Sequence, residues 1–95
     1  MANGDKYTLI IPDEFESILI KLKKNKPDIL RQLQKQITKI LSEPILGKPL
    51  RNALRNYRRM HAGSYVLIYE ISLQEVRLLD FDHHDKIYKK YKYYI

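Results

Sequence analysis

Apolar residues in the first half of the chain recur at helical spacing in two adjacent segments. The first segment carries Phe15, Ile18, Leu19 and Leu22. The second segment carries Leu30, Leu33, Ile37, Ile40 and Leu41. Each set forms one stripe along a helix, as expected for a helix that packs on a core. Pro12 and Pro27 stand where a helix can begin, and Pro44 ends the second pattern. We predict a helical hairpin.

Four further segments have the β-branched, aromatic and alternating composition of strands. They are Lys6–Ile11, Tyr57–His61, Tyr65–Ser72 and Glu75–Asp82. Turn signals at residues 62–64 and 73–74 separate the last three of these segments. Residues 45–56 contain glycine and proline and are predicted to be a loop. Residues 86–94 are compatible with a short terminal helix or with a tail.

The order of elements is therefore β-α-α-β-β-β. It favours an α+β fold in which the helical hairpin packs on one face of a small antiparallel sheet and leaves the other face free. A length of 95 residues fits a single domain spanning residues 1–95. Because there is no cysteine, disulfide and thiolate chemistry are excluded. No apolar run approaches the roughly 18 residues that cross a bilayer, so we expect a cytoplasmic protein with no membrane contact.

Positive charge is concentrated in the middle of the chain. The formal net charge is +7, and no acidic residue occurs between Glu43 and Glu70. That window contains Lys48, Arg51, Arg55, Arg58, Arg59 and His61. A solvated basic face is the ordinary interpretation of such a segment. Here the arginines lie among Tyr57, Tyr65 and Tyr69, a mixture that binds phosphates and stacks on bases, so we predict a polyanionic partner.

The strand that begins at Tyr57 brings two of these cations together. Side chains alternate along a strand, so Tyr57, Arg59 and His61 share one face, whereas Arg58 and Met60 share the other. A guanidinium binds a phosphate through two hydrogen bonds, and an imidazole can transfer a proton near neutral pH. These are groups that RNA cleavage without a metal requires.

A second candidate segment runs from Asp82 to Tyr88. In a helix, His84 and Tyr88 would share a face because they are four residues apart. The alternatives are a polar loop with an incidental His83-His84 pair, or a zinc site. Zinc is disfavoured because cysteine and the usual histidine spacings are absent, and we predict neither a metal nor another cofactor.

Together these motifs resemble those of the RelE/ParE superfamily of small toxins from prokaryotic toxin–antitoxin pairs. The hairpin reads Y-R-x-x-H-x-G-x-Y-x-L-I-Y from Tyr57 to Tyr69, and the later segment reads D-H-H-D-K-I-Y from Asp82 to Tyr88. The order of elements and the Lys48-Pro49-Leu50 segment extend the likeness over nearly the whole chain. The histidine positions are most similar to those of YafQ-like RelE nucleases.

The resemblance implies an mRNA interferase that cuts mRNA in the ribosomal A site, through attack of the RNA 2′-hydroxyl on the adjacent phosphate and without metal. It assigns catalysis to four residues: Arg59, His61, His84 and Tyr88. We predict that RNA phosphates bind to Lys48, Arg51, Arg55, Arg58 and His83. The implied partners are the ribosome with its mRNA and a RelB-like antitoxin, which is acidic and folds on binding.

Two departures from the family pattern keep other functions open. Val66 stands where many RelE members have arginine, and residues 62–64 offer no counterpart of the acidic residue that follows the hairpin histidine in YafQ-like members. One alternative is a ParE-like inhibitor of DNA gyrase, for which His61, His84 and Tyr88 would be incidental. The other is a non-toxic nucleic-acid-binding member of the family.

Overall fold

The computed structural model describes residues 7–95, in which five strands and three helices alternate with short turns. The strands are β1 (Thr8–Ile10), β2 (Lys48–Pro49), β3 (Tyr57–Ala62), β4 (Tyr65–Ser72) and β5 (Glu75–His83). The helices are α1 (Asp13–Asn25), α2 (Pro27–Ser42) and α3 (His84–Lys90), and 3-10 turns cover Pro44–Leu46 and Asn52–Leu54. No helix within residues 7–95 is long and apolar enough to cross a membrane.

The α+β class and the helical hairpin are confirmed. Helix α1 starts directly after Pro12, with acidic residues in its first turn, and α2 has Pro27 at its first position. Proline fits there because the first amides of a helix have no intrahelical acceptor. The predicted apolar stripes pack on the sheet, and Phe15, Leu33 and Ile40 are fully buried. Lys6, the first residue of the predicted first strand, lies outside the described residues.

The sheet is mixed rather than wholly antiparallel. Its order is β1-β5-β4-β3-β2, and β1 pairs with β5 in parallel while the other neighbours are antiparallel. After β1 the helical hairpin carries the chain across the sheet to β2 at the far edge. The three following reversals bring β5 back beside β1 in the same direction. The sequence cannot reveal the parallel pairing of β1 with β5, since side chains alternate in the same way in parallel and antiparallel pairs.

A β-bulge in the β4–β5 pair explains why both faces of β5 are apolar in sequence. Ile68 lies opposite Asp80 and Tyr69 opposite Leu78, so Leu79 has no residue facing it on β4. The extra residue reverses the alternation, because a bulge places two residues of one strand against one of the other. Leu78 and Phe81 therefore both reach the helix-side core, although they are three residues apart.

The second face of the sheet, expected to be free, is partly covered. Ile87 of α3 and Tyr91, directly after the helix, pack there with Leu50, Val66 and Ile68 in a second apolar cluster. Val66 and Ile68 are fully buried by this contact. The expectation of a free face was wrong because this segment contributes only two strongly apolar positions to the contact. Two positions are too few to predict a packed helix from the sequence.

The segment predicted as a loop is fixed to the core by a buried tyrosine. The Tyr69 hydroxyl donates to the Pro44 carbonyl (2.6 Å) and accepts from the Gly47 amide (2.9 Å). Burial raises the pKa of Tyr69, so the hydroxyl keeps its proton well above neutral pH. These bonds align Lys48 and Pro49 as β2, which pairs with Arg59 and Arg58 of β3. The sheet thereby gains a strand that the sequence did not predict.

Replacing Leu73 by glycine should stabilise the protein. Leu73 lies in the β4–β5 turn with φ +54° and is 91% exposed. The left-handed conformation costs a residue with a side chain about 1–2 kcal/mol, whereas glycine adopts it freely. We expect Leu73→Gly to raise the free energy of unfolding by about 0.5–1 kcal/mol, measured by urea denaturation. Gln74→Gly, in the same turn, is the control and should give no gain.

Candidate active site

Strand β3 presents Arg59 and His61 on the same face as α3. Arg59 lies opposite Ile68, and His61 lies opposite Val66, both of which belong to the cluster beneath α3. Gln36 of α2 donates a hydrogen bond to the backbone carbonyl of His61 (2.6 Å), which fixes this end of β3 from the other side. The side chain of His61 remains exposed. The shared face predicted from alternation is confirmed.

Helix α3 is held at both ends. At its start the His84 amide donates to the Ser64 carbonyl (2.9 Å), which ties the helix to the β3–β4 turn. His83 Nδ1 caps the helix by accepting from the Asp85 amide (3.2 Å). At its end the Tyr91 hydroxyl donates to Asp80 Oδ2 (2.7 Å). Burial, and then the Asp80 carboxylate, raise the pKa of Tyr91, so this anchor persists at neutral pH.

The two elements meet in a cluster of four side chains, Arg59, His61, His84 and Tyr88, which we call the histidine–tyrosine cluster. Tyr88 Oη lies 3.4 Å from His61 Nε2. The Arg59 guanidinium carbon lies 6.0 Å from the centre of the Tyr88 ring, within range of a cation–π contact. The rings of His84 and Tyr88 are 5.9 Å apart, as expected for two residues on one face of a helix. The structure thus brings together all four residues for which the sequence predicts catalysis.

Three of the five predicted phosphate-binding residues can be placed relative to this cluster. Lys48 of β2 lies directly opposite Arg59, so the two side chains share a face. The His83 ring lies 4.4 Å from the His84 ring and extends the cluster along the end of β5. Arg58, by contrast, points to the opposite face.

Arg58 makes backbone contacts that the sequence did not predict. Its guanidinium donates to the Gly47 carbonyl (2.7 Å) and to the Ile45 carbonyl (3.3 Å). These bonds hold the segment before β2, so Arg58 supports the position of Lys48, and its predicted role in phosphate binding stays a prediction. Alternation along β3 had already separated it from Arg59.

Arg51 and Arg55 flank the 3-10 turn before β3, and both are exposed. The Arg51 amide donates to the Tyr94 carbonyl (2.7 Å), which fixes the backbone at this point. Within residues 7–95, no hydrogen bond or ion pair joins either side chain to the histidine–tyrosine cluster. Their predicted role in phosphate binding stays a prediction.

Asp85 is a neighbour of the cluster to which the sequence assigned no role. Its Oδ1 lies 3.0 Å from His84 Nδ1 and its Oδ2 lies 3.7 Å from His83 Nδ1. A carboxylate that accepts from one imidazole nitrogen orients the ring and fixes which of its nitrogens carries the proton. The D-H-H-D pattern in the sequence indicated this contact between Asp85 and the histidines, because the side chain of a residue directly after a helix-starting histidine can turn back toward that histidine.

The segment for which the sequence left a zinc site as an alternative contains three side chains that could hold a metal ion. One ligand atom from each of His83, His84 and Asp85 lies within 4.8 Å of the others. Both Nδ1 atoms already have partners, since His83 Nδ1 accepts from the Asp85 amide and His84 Nδ1 contacts the Asp85 carboxylate. These side chains therefore satisfy one another, and the absence of a metal cofactor stays a prediction.

Comparison with known proteins gives the family. The model of the ParE toxin of the type II toxin–antitoxin system, parDE, matches residues 9–88. The chain belongs to this family. It is a type II toxin of the RelE/ParE superfamily, as its motifs indicated. The matched range includes the whole sheet beyond Thr8 and ends at Tyr88, so it contains every member of the histidine–tyrosine cluster.

Relatives of known sequence or structure agree. The toxin is 36% identical over 89 residues to a protein named "Putative toxin RelE4" of Methanocaldococcus jannaschii, covering 90% of this chain and 95% of the relative. It is 34% identical over 85 residues to an uncharacterized protein of Methanosarcina mazei, covering 86% and 99%. Its fold is similar to a chain in the toxin–antitoxin complex RelBE2 from Mycobacterium tuberculosis, with a TM-score of 0.69 and 30% identity over 82% of this chain and 98% of that one.

Proposed function

We propose that the toxin is a metal-independent endoribonuclease that cleaves mRNA on the ribosome and so stops translation. The observation that carries the proposal is the meeting of Arg59, His61 and Tyr88, with Tyr88 Oη 3.4 Å from His61 Nε2 and the guanidinium beside the Tyr88 ring. The three groups come from two elements that converge at one exposed point. A phosphate, a proton-transfer group and a hydrogen-bond donor could meet there.

The reaction proposed is an internal transfer of the phosphoryl group. The RNA 2′-oxygen attacks the adjacent phosphorus and loses its proton, while the bond to the 5′-oxygen breaks and that oxygen gains a proton. The products are a 2′,3′-cyclic phosphate and a 5′-hydroxyl. His61 and His84 supply the two proton-transfer groups, since one imidazole can accept a proton while the other donates one.

Arg59 and Lys48 would stabilise the negative charge that develops on the phosphate. Both side chains lie on the site face of the β2–β3 pair. A guanidinium matches the oxygens of a phosphate geometrically, and charge stabilisation of this kind is a large contribution to catalysis. Tyr88 would donate a hydrogen bond to the reacting group or stack on a base. His83 extends the phosphate-binding surface along the end of β5.

The proposed partners follow from charge and from the relatives. A net charge of +7 on a small domain favours association with anions such as ribosomal RNA and mRNA. One structural relative is part of a toxin–antitoxin complex. We therefore propose a RelB-like antitoxin that is acidic, folds on binding and covers the histidine–tyrosine cluster, with toxin and antitoxin both in the cytoplasm.

Inhibition of DNA gyrase is the second candidate, because the family model that matches residues 9–88 is that of ParE. The test separates the two activities in parallel reactions. Purified toxin is added to translating ribosomes, with primer extension to map mRNA cleavage, and to gyrase with relaxed plasmid, with supercoiling as the readout. Cut mRNA with undiminished supercoiling supports the nuclease. Blocked supercoiling with intact mRNA would establish the gyrase inhibitor instead.

A further inference from the structure

A cleft of about 260 Å³ opens between the C-terminal end of α1 and the end of β5, apart from the histidine–tyrosine cluster. Its aliphatic wall is formed by Ile18 and Leu22, and its aromatic wall by Tyr65 and Phe81. The polar groups at its rim are Lys21, Asn25, Lys26 and Asp82. An apolar slot with a few polar groups at its edge is the usual form of a small-ligand site.

The aromatic wall consists of two stacked rings with a lysine ammonium beside them. The rings of Tyr65 and Phe81 stack with centres 5.2 Å apart. Lys26 Nζ donates to the Tyr65 hydroxyl (2.7 Å) and lies 5.5 Å from the centre of its ring. That hydrogen bond raises the pKa of Lys26, so the ammonium stays charged. With Lys21 it provides two cations at the edge of the cleft.

An unbroken row of rings joins this cleft to the histidine–tyrosine cluster. Tyr65 meets His83 edge-on at 5.8 Å, His83 lies 4.4 Å from His84, and His84 lies 5.9 Å from Tyr88. The row passes around the end of the sheet, from the helix face to the face beneath α3. Proteins that bind single-stranded nucleic acid combine aromatic platforms with a basic path for the backbone in this way.

We propose that the cleft is a second nucleotide subsite, which binds a base of the same single-stranded RNA a few nucleotides from the cleaved bond. The proposal rests on the nuclease function. The base would lie between the aliphatic and aromatic walls, and Asn25 and Asp82 are the polar groups its edge would meet. Lys26 would exchange the Tyr65 hydroxyl for a phosphate oxygen. Because the Asp82 carboxylate repels phosphate, the backbone would run on the side of Lys21.

An RNA fits this surface better than an acidic peptide does. Lysines alone would suit either polyanion, but the row of rings leads to the groups proposed to react with RNA. Stacked and edge-on rings offer planar faces and edges that match a base, and stacking tolerates any base identity. The subsite would therefore lengthen the RNA that the toxin holds without requiring one sequence.

The test measures binding without cleavage. Fluorescent 2′-O-methyl RNA cannot supply the attacking hydroxyl, and its affinity for the full toxin is read by fluorescence anisotropy at one fixed salt concentration. We expect a hexanucleotide to bind more tightly than a trinucleotide. Lys21→Glu/Lys26→Glu should weaken the hexanucleotide roughly tenfold and the trinucleotide much less, because only the longer probe reaches the cleft.

The matched control is Lys23→Glu/Lys24→Glu, which lies between the two test positions in sequence and makes the same change of charge but outside the cleft. This control should weaken the binding of both probes by the same small factor. Thermal unfolding checks that each pair stays folded, and Lys21→Gln/Lys26→Gln repeats the test without charge reversal. Equal effects of the two pairs, or no gain of affinity with probe length, would overturn the subsite.

A competing peptide completes the design. A synthetic peptide of alternating glutamate and leucine is titrated against the same variants. If Lys21→Glu/Lys26→Glu abolishes peptide binding but leaves the hexanucleotide unaffected, the cleft binds protein and the proposal is wrong. Cleavage of ordinary mRNA by the wild type is measured separately, so a toxin that binds RNA but never cuts it would refute the nuclease and not the subsite.

Discussion

The His61→Ala variant is expected to lose about 10²- to 10⁴-fold in the rate of mRNA cleavage, the usual contribution of a proton-transfer group. The loss should not come from unfolding, because the His61 side chain is exposed and its backbone carbonyl keeps the bond from Gln36. The measurement is single-turnover cleavage of mRNA on purified ribosomes. Circular dichroism of the same preparation reports the fold.

Two further variants sharpen this result. Tyr88→Phe keeps the ring but removes the hydroxyl that lies near His61, so it separates hydrogen bonding from stacking. Arg77→Ala is the control, because Arg77 is exposed beside β1 and its ion pairs with Glu70 and Glu75 are surface pairs of small energy. The proposed site is wrong if folded His61→Ala cuts mRNA as fast as the wild type does.

The Gly47→Val variant should have the largest effect on stability. A β-carbon at Gly47 would collide with the Tyr69 hydroxyl and would lie 2.9 Å from the Arg59 carbonyl. Neither the Tyr69 side chain nor the Arg59 backbone can move away, because Tyr69 is fully buried and Arg59 belongs to the sheet. Overpacking of this kind costs about 1–3 kcal/mol, which lowers the melting temperature of a domain this size by roughly 4–8 °C per kcal/mol.

The expected loss is measured by differential scanning calorimetry. Ala53→Val is the control, since Ala53 is exposed in the same connecting segment. A folded fraction of Gly47→Val should also cleave mRNA more slowly, because the segment that positions Lys48 opposite Arg59 has been displaced. Unchanged stability of Gly47→Val would show that the contact between this segment and Tyr69 is looser than the structure indicates.

Helices and central strands followed from the sequence because their patterns are long. The apolar stripe from Leu30 to Leu41 and the prolines before each helix fixed α1 and α2 within a residue or two. The face shared by Arg59 and His61 followed from alternation along one unbulged strand. The approach of Tyr88 to His61 could not be predicted from alternation, because it depends on where α3 packs.

Other features had no local signal. A two-residue strand such as β2 is too short to show alternation, and its pairing depends on the buried hydroxyl of Tyr69. The bulge opposite Leu79 depends on both strands of the pair, so β5 alone could not reveal which side faces the helices. The cleft beside Lys26 joins residues that are far apart in sequence, and spacing within one segment cannot predict it.

The parallel pairing of β1 with β5 has a consequence for synthesis of the toxin. Strand β1 can pair only after its neighbour β5 has been synthesised, since Thr8–Ile10 pairs with Glu75–Arg77. Most of the chain must therefore be made before β1 can join the sheet. Contacts of such long range form late and slowly. His84 and Tyr88 are translated later still, after β5. The nascent chain therefore lacks the groups proposed to cut mRNA for most of its own translation.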